Sequence, residues 1–270
     1  MSRLPTVKPP AASPVAPPVL APGATGSSAE RSLRLLAILA QEGRPLTLAD
    51  LTARLGLPKA TLHRICLQLV ETGHLLRDVD GRSFGVGPAL RELAFATLNH
   101  GVARGLRHAV LAELVGEIGE TCNLTTQDGI EVLYLDRVEA KWPLRLTLDV
   151  GSHVPLHCTA SGKLFLAQMP ADARDEIIAS LTLTRMTRTT LTSKKALRDE
   201  CEAIAACGYS CDREEFIAGL IAVAVPAGSA TAGPRVALAV HAPTARMSLD
   251  QALAQLATLQ TGARRMSALL

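Results

Sequence analysis

Aromatic residues are scarce in this chain, and their scarcity limits how a core can be built. Trp occurs once, Tyr twice and Phe four times in 270 residues. The core must therefore come from Leu, Ala, Val and Ile, a composition that favours helices with a modest sheet. A chain of this length suits two domains, each large enough to bury its own core.

Close cysteine pairs are also absent. Cysteine occurs at six positions with no CxxC pair among them: Cys66, Cys122, Cys158, Cys201, Cys207 and Cys211. That spacing argues against the common zinc and redox motifs. We expect reduced, mostly buried thiols of a cytoplasmic protein, with no metal site and no cofactor.

No apolar run is long enough to cross a membrane. The most apolar segment, IAGLIAVAVPAG over 217–228, is interrupted by Pro226 and is predicted to be a buried strand. Residues 1–27 are rich in Pro and Ala and lack the apolar run of a signal peptide, so we expect a disordered tail. These features predict a soluble protein with no membrane partner.

The first predicted helix lies over 27–43, in SSAERSLRLLAILAQEG. Four of its apolar residues fall on one helical face, namely Leu33, Leu36, Ala37 and Ala40. We expect that face to enter the core of the N-terminal domain.

A second and a third helix follow in LTLADLTARLGLPKATLHRICLQLVETGHL. Thr47 and Asp50 form a capping pattern for a second helix of about two turns, which Gly56 ends. Pro58 suits the first position of the third helix, where its missing N–H costs nothing. Two helices joined by a short turn containing Gly have the geometry of a helix-turn-helix. An ordinary helical hairpin with a solvated polar face is the alternative for these two helices alone.

The third helix has an apolar face and a polar face when it is projected along its axis. Leu62, Ile65, Leu69 and Val70 form the apolar face, and Leu67 falls unexplained near the polar one. The polar face carries small and hydrogen-bonding residues suited to base edges and phosphates. The candidate DNA-binding residues are Lys59, Ala60, Thr61, His63, Arg64 and Gln68.

A β-hairpin is predicted directly after the third helix. HLLRDVDGRSFGVG alternates around Asp80 and Gly81, which predicts strands over 75–77 and 83–86. Three helices and a hairpin form a winged helix-turn-helix over 28–87, and Arg82 in the hairpin joins the candidate DNA contacts.

Charge alone does not identify a DNA partner. The formal net charge is +3, and residues 28–87 carry eight Lys or Arg residues against six Asp or Glu residues, a net +2. Such a modest charge predicts weak binding by a monomer, so we expect an oligomer that combines half-sites.

The rest of the chain is predicted to be a linker helix and a second domain. The pattern is helical after Pro88, with a weak point at His100 and Gly101, which suggests a linker helix over 88–105. Strands are predicted over 122–129, 130–140, 144–151, 209–213, 217–226 and 235–242, and helices from 159, over 191–208 and over 248–269. Antiparallel strands with helices predict an α+β domain over 106–270.

Several motifs in a fixed order make the chain resemble the IclR family of bacterial transcriptional regulators. They are the helix-turn-helix sequence above, VPLHCTASGKLFLA, GYSCDREE and GLIAVAVP, and the resemblance covers about residues 28–266. It implies an N-terminal winged helix-turn-helix that binds double-stranded DNA at a pseudo-palindromic operator. It also implies a GAF-like effector domain for small, often carboxylate-bearing metabolites, and homodimers that pair into tetramers.

The segment LHCTASGKLFLA is also a candidate anion site on physical grounds. Thr159 suits an N-cap, and the free N–H groups from Ala160 to Lys163 would point at one spot, where Ser161 adds a hydroxyl and Gly162 permits close approach. The resemblance implies an effector site at this loop, after GYSCDREE, and in the GLIAVA and last strands. The matching residues are Ala160, Ser161, Gly162, Asp212, Ala222, Ala239 and His241, with Leu144 or Leu146 as an apolar wall.

Three of these residues bear on the kind of effector. Ala222 and Ala239 stand where small-acid binders of the family place hydroxyl or thiol groups, which favours a larger or more apolar ligand such as an aromatic acid. His241 could pair with a carboxylate or tune a pH response, or it could be an ordinary histidine with one hydrogen bond. Asp212 would repel an anion, so we assign it to a ligand hydroxyl or to its own loop.

Two alternatives belong to other functional classes. An enzyme would use Ser161 with Lys163, or Cys158 with His157, but adjacent residues on a helix point apart and no phosphate-loop motif is present. We therefore predict no catalytic residues. The second alternative is a DNA-binding protein without a ligand, whose operator affinity would be indifferent to every metabolite.

Overall fold

The computed structural model describes residues 27–42, 44–78, 81–98, 101–142, 148–228 and 236–270. Contacts divide the chain into two compact units, Met1–Arg91 and Glu92–Leu270. The predicted tail, apart from Ser27, lies outside the described residues, as do Asp80, His100, Leu144 and Leu146. Within the described ranges, no helix combines the length and apolar composition needed to cross a membrane.

The N-terminal unit is a winged helix-turn-helix, as predicted. Its elements in order are α1 (Ser28–Glu42), β1 (Leu46–Thr47), α2 (Leu48–Leu55), α3 (Lys59–Glu71), β2 (Leu75–Arg77) and β3 (Ser83–Val86). The hairpin strands have the predicted bounds, and β1 adds a short third strand that was not predicted, giving the sheet order β1-β3-β2.

Local sequence accounts for the sharp bend between α2 and α3. The Thr47 side chain accepts from the Asp50 N–H while the Asp50 carboxylate accepts from the Thr47 N–H, which is a capping box. Gly56 ends α2 with a φ of 65°, a left-handed conformation that glycine adopts without strain. Pro58 is the N-cap of α3, one position before the predicted one.

The core of this unit corrects the predicted face of α1. Leu35 and Leu39 are buried, whereas Leu33 is 67% exposed. Of the predicted face only Leu36 packs partly against the core, so that prediction was largely wrong. Residues 35 and 39 form a stripe with Ile38 that buries more apolar area than a stripe containing two alanines. The buried core residues are Leu35, Leu39, Leu46, Leu51, Leu55, Leu57, Leu62, Ile65, Cys66, Leu75 and Phe84.

The second unit is an α+β domain. After α4 (Pro88–Leu98), which spans the division between the units, its elements are α5 (Gly101–Ile118), β4 (Thr121–Asp128), β5 (Glu131–Val138), β6 (His153–Pro155), α6 (Ala160–Ala167), α7 (Ala171–Ser180), α8 (Lys194–Cys207), β7 (Ser210–Arg213), β8 (Leu220–Pro226), β9 (Val236–Pro243), α9 (Leu249–Ala254) and α10 (Leu256–Ser267). The strands form one antiparallel sheet in the order β6-β5-β4-β9-β8-β7.

Each face of this sheet carries its own apolar core, because alternate strand residues point to opposite faces. One core joins the sheet to α5 and α10 and includes Leu124, Val223 and Leu238. The other core joins the sheet to α6, α7 and α8 and includes Tyr134 and Ala222. All eight residues of α6 are buried, since this helix packs between the sheet and α8.

Several boundaries differ from the predicted ones. Helix α7 and strand β6 were not predicted, and the predicted final helix is two helices that meet at Gln255. In the predicted strand over 144–151, residues 148–151 are loop and turn. Helix α5 begins at Gly101 and continues through the proposed end of the linker at residue 105.

The cysteine thiols are free, and five of the six are buried, as expected; Cys207 is exposed. Burial raises the pKa of the Cys122 and Cys158 thiols to about 12. These thiols are therefore protonated at neutral pH and poorly nucleophilic.

Candidate DNA-binding helix and effector site

Helix α3 buries one side and exposes the side predicted to contact DNA. Leu62, Ile65 and Cys66 face the core, and Leu69 and Val70 are half-buried. The exposed candidates are Lys59, Ala60, His63, Arg64 and Gln68, and Thr61 is half-buried at the edge of this surface. Cys66, which was expected to be a buried thiol but was not included in the predicted apolar face, is buried beside Ile65.

The exposed side of α3 also contains Leu67, which is 41% exposed. This leucine was the residue that the helical projection left unexplained, and the structure places it on the surface. In the wing, Arg82 is exposed, and the Arg77 guanidinium lies 5.8 Å from the centroid of the Phe84 ring. Arg77 therefore packs partly on its own sheet through a cation–π contact.

The predicted anion site lies at the beginning of α6. The hydrogen bonds there leave fewer free backbone amides than predicted. Thr159 is the N-cap: its hydroxyl accepts from the Gly162 N–H at 3.2 Å, and its carbonyl accepts from the Lys163 N–H at 3.0 Å. Only Ala160 and Ser161 retain first-turn N–H groups without an acceptor in the described part of the chain. The predicted stretch of free amides from Ala160 to Lys163 is thus two residues rather than four.

Gly162 also allows a close contact within the chain that was not predicted. A Cβ at this position would lie 2.3 Å from the Leu156 carbonyl oxygen and 2.5 Å from the Leu156 Cα. The absent side chain therefore makes room for the preceding loop of the same chain. Gly162 shapes the start of α6 by letting that loop pack against the helix.

Strand register brings four of the predicted effector residues to one face. Asp212 on β7 pairs with Ala222 on β8, and Ala222 pairs with His241 on β9. Directly paired residues point to the same face of a sheet, and so do residues two positions apart on a strand. Ala239 therefore shares this face, which is the one covered by α6.

Asp212 holds the turn that follows β7. Its Oδ1 accepts from the Glu215 N–H at 2.6 Å and from the Phe216 N–H at 3.4 Å. Burial raises the pKa of this carboxyl group to about 7, with the nearby Glu215 carboxylate acting in the same direction. These contacts agree with the assignment of Asp212 to its own loop.

His241 is neutral at physiological pH. Burial of its imidazole lowers the pKa to about 3, and the positive charge of Arg137 adds to this effect. A neutral imidazole has no charge that changes near neutral pH, and it can still donate a hydrogen bond to a carboxylate. The imidazole ring lies 6.5 Å from the Tyr134 ring, centroid to centroid.

The sequence did not predict two buried polar residues on or above this face, Asn123 and Lys163, or the half-buried Arg137, as part of the site. Asn123 on β4 pairs in register with Arg137 on one side and Ala239 on the other. Lys163 on α6 is fully buried and bonded to the Glu215 carboxylate. The available signals were a single Asn at an inward position of CNLTTQDG and a single Lys in the otherwise apolar helix ASGKLFLA.

Comparison with known proteins relates both units to one family. The family described as Bacterial transcriptional regulator IclR C-terminal matches residues 96–268, and the IclR helix-turn-helix domain matches residues 28–79. A Cupriavidus necator protein named Probable transcriptional regulator SauR is 41% identical over 242 residues, which cover 90% of this chain and 96% of that protein.

Solved structures agree with these matches. A putative transcriptional regulator from Rhodococcus sp. RHA1 superposes with a TM-score of 0.61 and 26% identity, covering 90% of this chain and 97% of that one. An IclR homologue from Microbacterium hydrocarbonoxydans, crystallised with 4-hydroxybenzoate, gives a TM-score of 0.55 and 25% identity, covering 90% and 99%. The relatives are transcriptional regulators rather than enzymes, which decides against the enzyme alternative. The chain belongs to the IclR family of bacterial transcriptional regulators.

Proposed function

We propose that this regulator binds a pseudo-palindromic operator as a homodimer or tetramer, and that a small organic acid changes its operator affinity. The DNA contacts are assigned to the exposed side of α3, with Arg82 from the wing. Arg64 and Lys59 can donate to guanine or phosphate oxygens, and Ala60 lets the helix backbone approach the groove. The net charge of +2 over residues 28–87 supports an oligomer, since one copy would bind weakly.

The observation that carries the acid effector is the pair of amides at the start of α6. The Ala160 and Ser161 N–H groups lack acceptors in the described part of the chain, and both residues are buried. A buried N–H without an acceptor costs free energy, and the positive end of a helix favours an anion. A carboxylate at this position would satisfy both amides.

The opposite wall of the proposed site is the sheet face with Ala222, Ala239 and His241. The two alanines are fully buried and present only methyl groups, a lining that would suit a ligand with a flat apolar body. The Microbacterium homologue was crystallised with 4-hydroxybenzoate, an acid of that kind. We therefore propose an aromatic acid as the preferred effector. Asp212, which already accepts two backbone hydrogen bonds, is assigned to the turn after β7.

Effector binding must favour one of two states that differ in operator affinity, because a ligand shifts an equilibrium only through unequal affinity for its states. The covalent path from the effector domain to the DNA-binding domain is the segment 88–105, which we propose as the linker. The domain bounds 28–87 and 106–270 are proposed on the same basis.

A substitution in α6 tests the acid effector. The wild type, Ser161→Ala and the control Ser180→Ala would be titrated onto an operator duplex selected from a random library, with benzoate, 4-hydroxybenzoate, pyruvate or acetate present. Ser180 ends α7 and is exposed. We expect Ser161→Ala to require a higher acid concentration for the same change in operator affinity, with unchanged affinity in the absence of acid.

The outcomes separate the proposal from its rivals. Operator binding by the wild type that no acid changes would support a DNA-binding protein without a ligand. Operator binding that responds equally in the wild type and in Ser161→Ala would remove the Ser161 hydroxyl, but not its backbone amide, from the site. A loss that also occurs in Ser180→Ala would point to a general effect of serine removal.

A further inference from the structure

Asn123 lies in the middle of the sheet face covered by α6, and it has no exposed surface. Its Oδ1 accepts a hydrogen bond from Arg137 Nη1 at 3.2 Å. A guanidinium group only donates, so this contact fixes the orientation of the amide group. The Nδ2 group therefore points away from Arg137, and it has no acceptor among the described residues.

The described residues beside Asn123 leave its Nδ2 group free to donate a hydrogen bond to a ligand. Its register neighbour on β9 is Ala239, whose methyl group offers no hydrogen bond. His241, two residues along β9 on the same face, also has a buried nitrogen, Nδ1, without a partner in the described part of the chain. Two buried polar groups on neighbouring strands thus lack partners on one face, although native proteins satisfy most such groups.

The hydrogen bond from the Arg137 guanidinium makes Asn123 a better donor to an anionic acceptor. The Arg137 side chain is only 6% exposed, and its Nε lies 3.5 Å from the Glu139 carboxylate. Its Nη1 bond to Asn123 polarises the amide group and makes the Nδ2 hydrogens better donors. Because burial keeps His241 neutral, its ring can donate a hydrogen bond without bringing a second cation beside Arg137.

We propose that Asn123, oriented by Arg137, and His241 form an oxyanion subsite on the sheet side of the effector site, where they donate to a carboxylate or sulfonate oxygen of the ligand. This subsite rests on the proposed effector function and specifies its chemistry. Helix α6 packs over β4, β5, β8 and β9, so the ligand is held by backbone amides from the helix and by side-chain donors from the sheet. The subsite selects acids over their neutral amides.

One nearly isosteric substitution should change the affinity of this subsite for acids and for amides in opposite directions. Asn123→Asp keeps the acceptor for Arg137 but replaces the Nδ2 donor with an oxygen. The dissociation constants of 4-hydroxybenzoate, 4-hydroxybenzenesulfonate and 4-hydroxybenzamide would be measured calorimetrically on the full chain, and operator affinity would be measured without ligand. We expect the affinity for both acids to fall by roughly tenfold or more in Asn123→Asp, while the amide, which can donate to the new oxygen, binds at least as well as before.

Two further variants serve as controls. Ser210→Ala removes a buried hydroxyl from β7 on the same face of the sheet, three strands away from Asn123 on β4, and should leave acid affinity within about twofold. Asn123→Leu, which is close to Asn in size, removes the Nδ2 donor without adding a charge or another hydrogen-bonding group, so it should weaken acid binding even if Asn123→Asp does not fold. Cooperative thermal unfolding and unchanged operator affinity identify the folded variants.

Each outcome has one meaning. Acid affinities unchanged within twofold in a folded Asn123 variant overturn the subsite, while an acid-dependent operator response in the wild type still supports the proposed function. An equal loss in Ser210→Ala also overturns the subsite, since the loss would then come from packing. A wild type that binds neither acid contradicts the aromatic-acid effector and the subsite together.

Discussion

Lys163 on α6 forms a buried ion pair with Glu215 in the turn after β7. The lysine has no exposed surface, and its Nζ also lies 3.3 Å from Glu200 on α8. This arrangement ties α6 to two other parts of the domain through one ammonium group. Removing one partner of such a pair is strongly destabilising, because the other charge is left buried and uncompensated.

We therefore expect Lys163→Met to lower the free energy of unfolding by about 3–5 kcal/mol, measured by urea denaturation. The control is Lys195→Met, because Lys195 is highly exposed and its pair with Asp199 should contribute little. The double variant Lys163→Met, Glu215→Met should recover much of the loss. A Lys163→Met variant as stable as the control would show that the pair does not support the fold.

A second prediction concerns the contact between α6 and the loop before it. Gly162→Ala would bring a Cβ within 2.3 Å of the Leu156 carbonyl oxygen, so the backbone would have to move. We expect a loss of about 1–3 kcal/mol in thermal or urea unfolding, together with weaker acid binding. Gly116→Ala in α5, where a Cβ has nothing within 4 Å, should instead be neutral or stabilising by up to about 1 kcal/mol. Equal stability of the two variants would refute the close approach.

Sequence patterns predicted the N-terminal unit best where local rules act alone. The capping box of Thr47 and Asp50 and the hairpin around Gly81 depend on neighbouring residues, and the helix start and strand bounds came out as predicted. The predicted buried face of α1 was largely wrong because apolar residues lie on more than one side of this helix. Only the packing of α1 against α2 and β3 selects Leu35 and Leu39 over Leu33.

In the candidate site, sequence patterns predicted some of the residues and missed others. Motif matching placed Asp212, Ala222 and His241 in one site, and antiparallel register does bring them to one face. Asn123 and Arg137 were missed because an alternating strand with polar residues on one side usually predicts a solvated face. Their burial depends on α6, which returns over that face from more than 20 residues further along the chain, beyond the reach of any local pattern.

A third prediction follows from the neutral state of His241. Its folded pKa of about 3 lies below the ordinary value of 6.5, so the unfolded chain binds the proton more readily. Its contribution to stability is therefore complete above pH 6.5 and is lost as the pH falls toward 3. Asp212 acts in the opposite sense, since its raised pKa favours the folded state at low pH and this contribution is lost as the pH rises from about 4 through 7.

Comparison with His241→Gln isolates the histidine from Asp212, which is present in both proteins. Between pH 7 and pH 5, the stability of the wild type relative to His241→Gln should fall by roughly 1–2 kcal/mol, measured by urea unfolding at each pH. A constant difference over this range would mean that His241 protonates equally in the folded and unfolded chains.

A fourth prediction concerns base recognition by α3. Arg64 is exposed on the proposed DNA-facing side, so Arg64→Ala should weaken binding to the selected operator by about 1–3 kcal/mol and relax sequence preference at one position of each half-site. Arg188→Ala removes the same charge from an exposed loop of the other unit and should leave sequence preference unchanged. Weaker binding to all sequences alike would assign Arg64 to a phosphate instead.

The most direct test is a two-way titration of the wild-type chain by fluorescence anisotropy and calorimetry. If operator binding and acid binding are coupled, a saturating acid must change the operator dissociation constant by some factor, and saturating operator must change the acid dissociation constant by the same factor. We expect a common factor of roughly 5 to 150, typical of coupling between two sites. An operator affinity that is identical with and without every bound acid would contradict the account.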